Sequence, residues 1–155
     1  MSPLAFRAAT SSDLPELLAM MRAFYREDRI PFDAGHAAGA VQALLADPGH
    51  GAILLLGDAG DLGYLVLTRG FSLEQGGAFV LLDELFVADN ARGRGLGAAA
   101  LSLAADQARR WGVTRLRLEV HHHNRRAKAL YLRAGFVDDH RDTLTRHLAS
   151  TDIGT

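Results

Sequence analysis

The chain has 155 residues, 48% of them apolar, with 17 Lys/Arg against 18 Asp/Glu and no cysteine. This length suits one hydrophobic core, a net charge of −1 argues against a general nucleic-acid binder, and the lack of cysteine excludes disulfides, thiolate metal sites and a cysteine nucleophile. No apolar run approaches the length of a membrane span, and Met1-Ser2-Pro3 opens without a basic segment leading into an apolar one, so a cytoplasmic protein with no membrane attachment is expected.

Leu4 to Ala8 reads as a first strand, and Thr10 to Asp13 offers several helix caps. Leu14, Leu17, Leu18, Met21, Phe24 and Tyr25 recur at helical spacing, predicting an amphipathic helix that stops before Pro31. Near its end, Phe24, Tyr25, Glu27 and Asp28 combine aromatic and acidic groups, the composition of a pocket for an amine, although core aromatics beside a solvated acidic turn would read the same. Asp33 caps a second helix through Leu45, loosened by Gly35 and Gly39 and ended by Asp47-Pro48-Gly49. Ala52 to Leu56 and Leu62 to Thr68 predict an antiparallel hairpin, and Gly70 to Gly77 a loop.

Leu81 to Val87 then reads as a central strand with apolar side chains on both faces, interrupted by Asp83 and Glu84 on opposite sides. A buried carboxylate needs a partner or a function, and one with a raised pKa could serve as a base for an ammonium group. After this strand, Gly93, Gly95 and Gly97 alternate into a helix whose stripe is Gly97, Leu101, Ala104, Ala108 and Trp111, with Gly112 as its stop. Glycines at a helix N-terminus, with Arg92 and Arg94, describe a cradle for an anion such as phosphate. Charge agrees: Met1 to Ala91 holds five Lys/Arg and twelve Asp/Glu, whereas Arg92 to Arg133 holds ten and two.

Val113 to Val120 alternates as a half-covered strand, with Leu116 and Leu118 on one face and Arg115, Arg117 and Glu119 on the other. His121, His122 and His123 cannot converge on one ion in extended chain, so no metal site is expected there. Asn124 caps a fourth helix, with Ala127, Leu130, Tyr131 and Ala134 inward and Gly135 at its end. Arg125, Arg126 and Lys128 crowd its first turn, where the helix dipole disfavours cations unless an anion is near. Phe136 to His140 and Asp142 to Leu148 read as two last strands, and residues 150–155 as a frayed tail behind a single domain of residues 1–149.

Arg92-Gly93-Arg94-Gly95-Leu96-Gly97 resembles the acyl-coenzyme A loop of the GNAT acetyltransferase superfamily, and Asn124 to Phe136, an Asn-led helix reaching Leu130-Tyr131 and then Gly135-Phe136, resembles that family's other signature. The resemblance implies an α/β (α+β) domain with a mixed, mostly antiparallel twisted sheet of about six to seven strands and about four helices. It implies acetyl-coenzyme A as co-substrate, no metal, and transfer to a primary amine of a small molecule or peptide. By the same resemblance, Leu85, Phe86 and Val87 hold the pantetheine arm, an N–H near Val87 meets the thioester oxygen, Arg92 to Gly97 with Asn124 and Arg126 hold the rest, and Tyr131 is the acid for the leaving thiolate. Asp83 and Glu84, or Glu119 by its place in the family pattern, are candidate bases, and a water chain is the alternative. A non-catalytic acyl-coenzyme A sensor is the competing function. A homodimer is left open.

Overall fold

The computed structural model describes residues 3–150. Its layering follows from two apolar segments, Gly51–Leu56 (β2) and Gly63–Ser72 (β3), which pair antiparallel. Ile53 and Leu55 face one way and Leu54 and Leu56 the other, so both faces of the sheet must be covered. Helices Leu14–Glu27 (α1) and Ala34–Ala46 (α2) cover the first face with Leu17, Met21, Ala37 and Val41. Helix Leu96–Arg110 (α3) covers the second with Ala100, Leu101, Leu103 and Ala104, where small residues let it lie close to the strands.

Phe6–Ala8 (β1) pairs outside β2, and Gly77–Val87 (β4) outside β3, all antiparallel. Chain then crosses through α3 to Leu116–Leu118 (β5), which lies parallel to β4, giving a five-stranded sheet in the order β1-β2-β3-β4-β5. Helix Arg125–Arg133 (α4) follows, capped as expected by Asn124, whose side chain accepts from the Ala127 N–H at 3.1 Å. Asp33 likewise caps α2 through the His36 N–H at 2.9 Å.

The mixed, mostly antiparallel α/β fold agrees with expectation, but three boundaries do not. Gly70 to Gly77 is not a loop: β3 runs to Ser72 and β4 starts at Gly77, so the hairpin extends past the sheet body. Val113 to Val120 forms only the short β5. The two last strands are absent among the described residues, so five strands stand where six or seven were expected. The cause is legible in residues 136–148. His140 adopts a left-handed φ of 53°, and its N–H bonds back to Asp138 Oδ1 at 2.8 Å, a turn that breaks the extended run in its middle. Val137, Leu144 and Leu148 are exposed, so no apolar face holds this stretch against the sheet. Ala134, expected inward on α4, is also exposed, and the expected tail lies outside the described residues except for Ser150.

Two glycine substitutions should separate backbone need from mere tolerance. A Cβ on Gly63 would stand 2.0 Å from the Phe86 carbonyl oxygen, whereas one on Gly39 in α2 meets nothing within 4 Å. Gly39→Ala is expected to stabilise the protein by about 0.5–1 kcal/mol, and Gly63→Ala to destabilise it by about 3 kcal/mol or more, read from urea unfolding.

Candidate active site

In an unbroken strand, residues four apart share a face. Leu82 and Phe86 do not, since Leu82 packs beneath α3 and Phe86 beneath α1 and α2. The register explains this: Leu82 pairs with Leu67 and Glu84 with Val66, leaving Asp83 as one extra residue in β4. Such a β-bulge reverses the alternation that follows it. Asp83 and Glu84 therefore do not lie on opposite sides, as expected from the sequence. Both border the same two recesses, an open cleft of about 180 Å³ and a larger cavity of about 500 Å³.

The cleft begins where β4 and β5 part. Their pairing ends at Leu82 and Leu118, so Asp83 to Val87 has no strand on that side. On the other side, the Ala88 N–H bonds to the Leu62 carbonyl at 2.8 Å, which sets the phase of the ladder with β3. In antiparallel alternation the N–H and C=O groups of Leu85 and Val87 then point away from β3, into the cleft. The Val87 carbonyl accepts Arg92 Nε at 3.0 Å. Both peptide groups of Leu85 and the Val87 N–H face the opening.

Five carboxylates, those of Glu27, Asp28, Asp83, Glu84 and Glu119, and the phenol of Tyr131 line the cleft. Glu84 accepts hydrogen bonds from the hydroxyls of Tyr25 and Tyr64, the latter at 2.7 Å. Burial pushes its pKa up, the two phenols oppose that shift, and neighbouring Asp83 adds to it. Asp83 keeps contact with water in the cleft, yet desolvation by the surrounding walls, helped by the charge of Glu119, raises its pKa. Its carboxylate makes no hydrogen bond to the described residues. Glu119 lies just past β5 and is exposed. Tyr131 on α4 lines the cleft edge-on to Phe136 at 6.0 Å, and burial, reinforced by Asp28, raises its pKa, so it holds its proton.

The glycine loop divides its labour. Gly93 and Gly95 have φ of 80° and 72° with open space around them, conformations that L side chains resist. Gly97 differs: a Cβ there would meet Leu130 Cδ2 at 3.1 Å, so its smallness seats α4 against the start of α3. Arg126 stands one turn before Leu130 on α4 and shares its face. Arg92 is committed elsewhere, to Glu27 as well as to the Val87 carbonyl, and Arg94 donates to the Asn90 carbonyl at 2.9 Å while remaining exposed. The first-turn N–H groups of α3 are free of intrahelical acceptors and point past Gly95.

Comparison with known proteins matches this frame. The model of the Acetyltransferase (GNAT) family matches residues 18–136. An uncharacterized N-acetyltransferase of Bacillus subtilis (strain 168), YhfO, is 32% identical over 138 residues, covering 86% of this chain and 89% of that protein. The chain belongs to the GNAT acetyltransferase family. An integron cassette protein from the mobile metagenome of Cole Harbour Salt Marsh is 38% identical, with a TM-score of 0.79 over 94% of this chain and 91% of that one. A possible acetyltransferase from Clostridium difficile 630 shares the fold at a TM-score of 0.83 and 18% identity, over 96% and 100% of the two chains.

As a GNAT protein the chain is an acyltransferase, and Arg92 of the first motif and Asn124, Ala127 and Tyr131 of the second line this cleft. Of the residues expected to form an amine pocket, Phe24, Glu27 and Asp28 line the cleft and Tyr25 the larger cavity. Phe24 packs edge-on to Phe86 at 6.1 Å, Glu27 is taken by Arg92, and buried Asp28 accepts Asn124 Nδ2 at 3.1 Å. Only Tyr25 of those four reaches the larger cavity. His121 and His123 stack 5.2 Å apart and both face Asp28, with Nε2 at 3.6 and 3.4 Å from its oxygens. Sequence reading missed Tyr64. A tyrosine in an apolar strand must satisfy its hydroxyl, and the nearby Glu84 was the signal.

Stability should report the state of Asp83. Its folded pKa is raised, so the fold is favoured while Asp83 is protonated, below its ordinary value of 3.8, and that advantage is lost as pH rises through the folded value. Asp83→Asn is expected to raise Tm at about pH 7.5 by more than at about pH 4, measured by thermal unfolding.

Proposed function

We propose that the protein transfers an acetyl group from acetyl-coenzyme A to a primary amine of a small molecule or peptide at the inner end of the cleft between β4 and β5. The observation that carries this reading is the run of peptide groups at Leu85 and Val87 that have no strand partner on the cleft side, leading toward Asp83. A ligand arm bearing amides adds to such an edge as another strand would. The donor set fits the pyrophosphate too, with the first-turn N–H groups of α3, its dipole, and Arg126 across from it. Arg94, exposed at the same turn, adds positive charge, while Arg92 shapes the opening through Glu27.

When bound, acetyl-coenzyme A supplies a thioester, whose acetyl carbon bonds to the amine nitrogen as the carbon–sulfur bond breaks and the thiol leaves. Asp83 takes the proton that frees the amine. Its pKa is raised, its oxygens are unoccupied, and it borders both recesses, whereas both oxygens of Glu84 are held by phenols and Glu119 borders the cleft alone. Glu84 instead presents fixed negative charge to an arriving ammonium. The Val87 N–H is the donor closest in role to an oxyanion partner. Tyr131 remains a neutral phenol and holds the proton a thiolate requires.

Coenzyme A is expected to raise Tm, while NAD and ATP at equal concentration leave it unchanged, because only a ligand that fits the native cleft stabilises it. Tyr131→Phe should lower kcat by about 10²–10⁴-fold while the coenzyme A shift persists, in a thiol-release assay. Full activity in that variant would return the tyrosine to a packing role. Binding without acetyl-dependent thiol release for any amine would make the protein a sensor.

A further inference from the structure

The larger cavity lies between α1, α2 and the sheet, and the coenzyme cleft needs none of it. Its volume of about 500 Å³ falls within the range of small-ligand sites. Met21, Phe32, Val41 and Ile53 give it apolar walls, and its inner end is closed by Glu84 between Tyr25 and Tyr64, with Asp83 beside it. Those two carboxylates also border the cleft, so the cavity opens on the place where the acetyl group is delivered.

We propose that the acceptor is a primary monoamine carrying one apolar body, bound with its nitrogen at Asp83 and Glu84 and its body between α1 and α2. This rests on the acetyl-transfer reading above and narrows it to a substrate class. Charge is the first argument. An ammonium group at the inner end meets the fixed carboxylate of Glu84 and the ring of Tyr25, whose hydroxyl donates to that carboxylate. A second ammonium group on the same molecule would fall among apolar side chains. The remaining carboxylate of the cavity, Asp33, is exposed and has one oxygen engaged as the cap of α2. Burying an unpaired cation is strongly unfavourable, which counts against polyamines and aminoglycosides.

Size is the second argument. A cavity of about 150 Å³ holds benzene, so this one accommodates a body of roughly eight to twenty non-hydrogen atoms. Methylamine or ammonia would leave most of the apolar wall wet. A body that fills the space gains the burial of its own surface and of the walls of Met21 and Val41, which lie on α1 and α2 and set the depth of the site.

The test uses the whole protein with acetyl-coenzyme A and four amines: 2-phenylethylamine, methylamine, spermidine and kanamycin. Thiol release should give 2-phenylethylamine a kcat/KM at least about 100-fold above each of the others, and it alone should raise the Tm of the coenzyme A complex. Val41→Phe, which fills the cavity, should raise KM for 2-phenylethylamine at least about tenfold with the coenzyme A shift intact, the shift also reporting that the variant is folded. Met21→Ala, which deepens it, should move the preference toward 4-phenylbutylamine, and decides the matter if Val41→Phe does not fold. Preference for spermidine or kanamycin would overturn this substrate class and leave acetyl transfer standing. Variants that change the tolerance for octanoyl-coenzyme A but not for amines would assign the cavity to the acyl chain and overturn it as well. If coenzyme A binds and 2-phenylethylamine releases no thiol, the apolar monoamine class is overturned, while acetyl transfer fails only if peptide amines release none either.

Discussion

Because Asp83 is an extra residue against β3, every residue after it in β4 is turned over relative to the strand before it. Ahead of the bulge, Val80 donates its N–H toward β5, to the Arg115 carbonyl at 3.0 Å. Beyond it, Leu85 and Val87 direct their peptide groups to that side, where β5 no longer runs. A sheet edge inside a protein leaves donors and acceptors that must be met by something, and here the geometry offers them to a ligand. The same reversal brings Asp83 and Glu84 to one side, so that the cleft and the larger cavity share a wall of carboxylate.

Holding this opening in shape falls to the end of α1. Glu27 pairs with Arg92, which also clasps the Val87 carbonyl, and Asp28 accepts the amide of Asn124, the residue that caps α4. The loop after β4 and the start of α4 are thus tied to the same turn of helix. The Arg92–Glu27 pair is partly exposed and worth about 1 kcal/mol or less. Its importance lies in direction, since it turns Arg92 inward. Asp28 is more consequential, being buried with an amide partner and two imidazoles around it. Its loss would leave Asn124 without an anchor to α1, while the cap on Ala127 would remain.

Much of this was legible in the sequence because it is local. Helical spacing, the caps at Asp33 and Asn124, the stops at Gly112 and Gly135, and the apolar runs of β2 and β3 are decided by neighbours in the chain. Two family-like motifs at the right separation supplied the cleft. What the sequence hid depends on distant partners. A bulge is set by register against another strand, so the alternation of Leu82, Glu84 and Phe86 gave no sign of it. Glu27 and Arg92 were each placed in a binding site, yet they bind each other across 65 positions. Gly97 read as part of the phosphate cradle, and its contact with Leu130 on another helix could not be read from the chain. The last strands were overcalled because scattered apolar residues between Phe136 and Leu148 suggest extended chain, while the turn at Asp138 and His140 and the lack of a covered face deny it.

The bulge leaves alternate peptide groups of β4 without a strand partner and open to the cleft. Amide hydrogen exchange of β4, resolved residue by residue, tests it most directly. Without ligand, the N–H groups of Leu85 and Val87 are predicted to exchange much faster than those of Glu84 and Phe86, which bond to β3, and to slow sharply when coenzyme A is added. Uniformly slow exchange across Glu84 to Val87 without ligand, or no slowing of Leu85 and Val87 with it, would contradict the account.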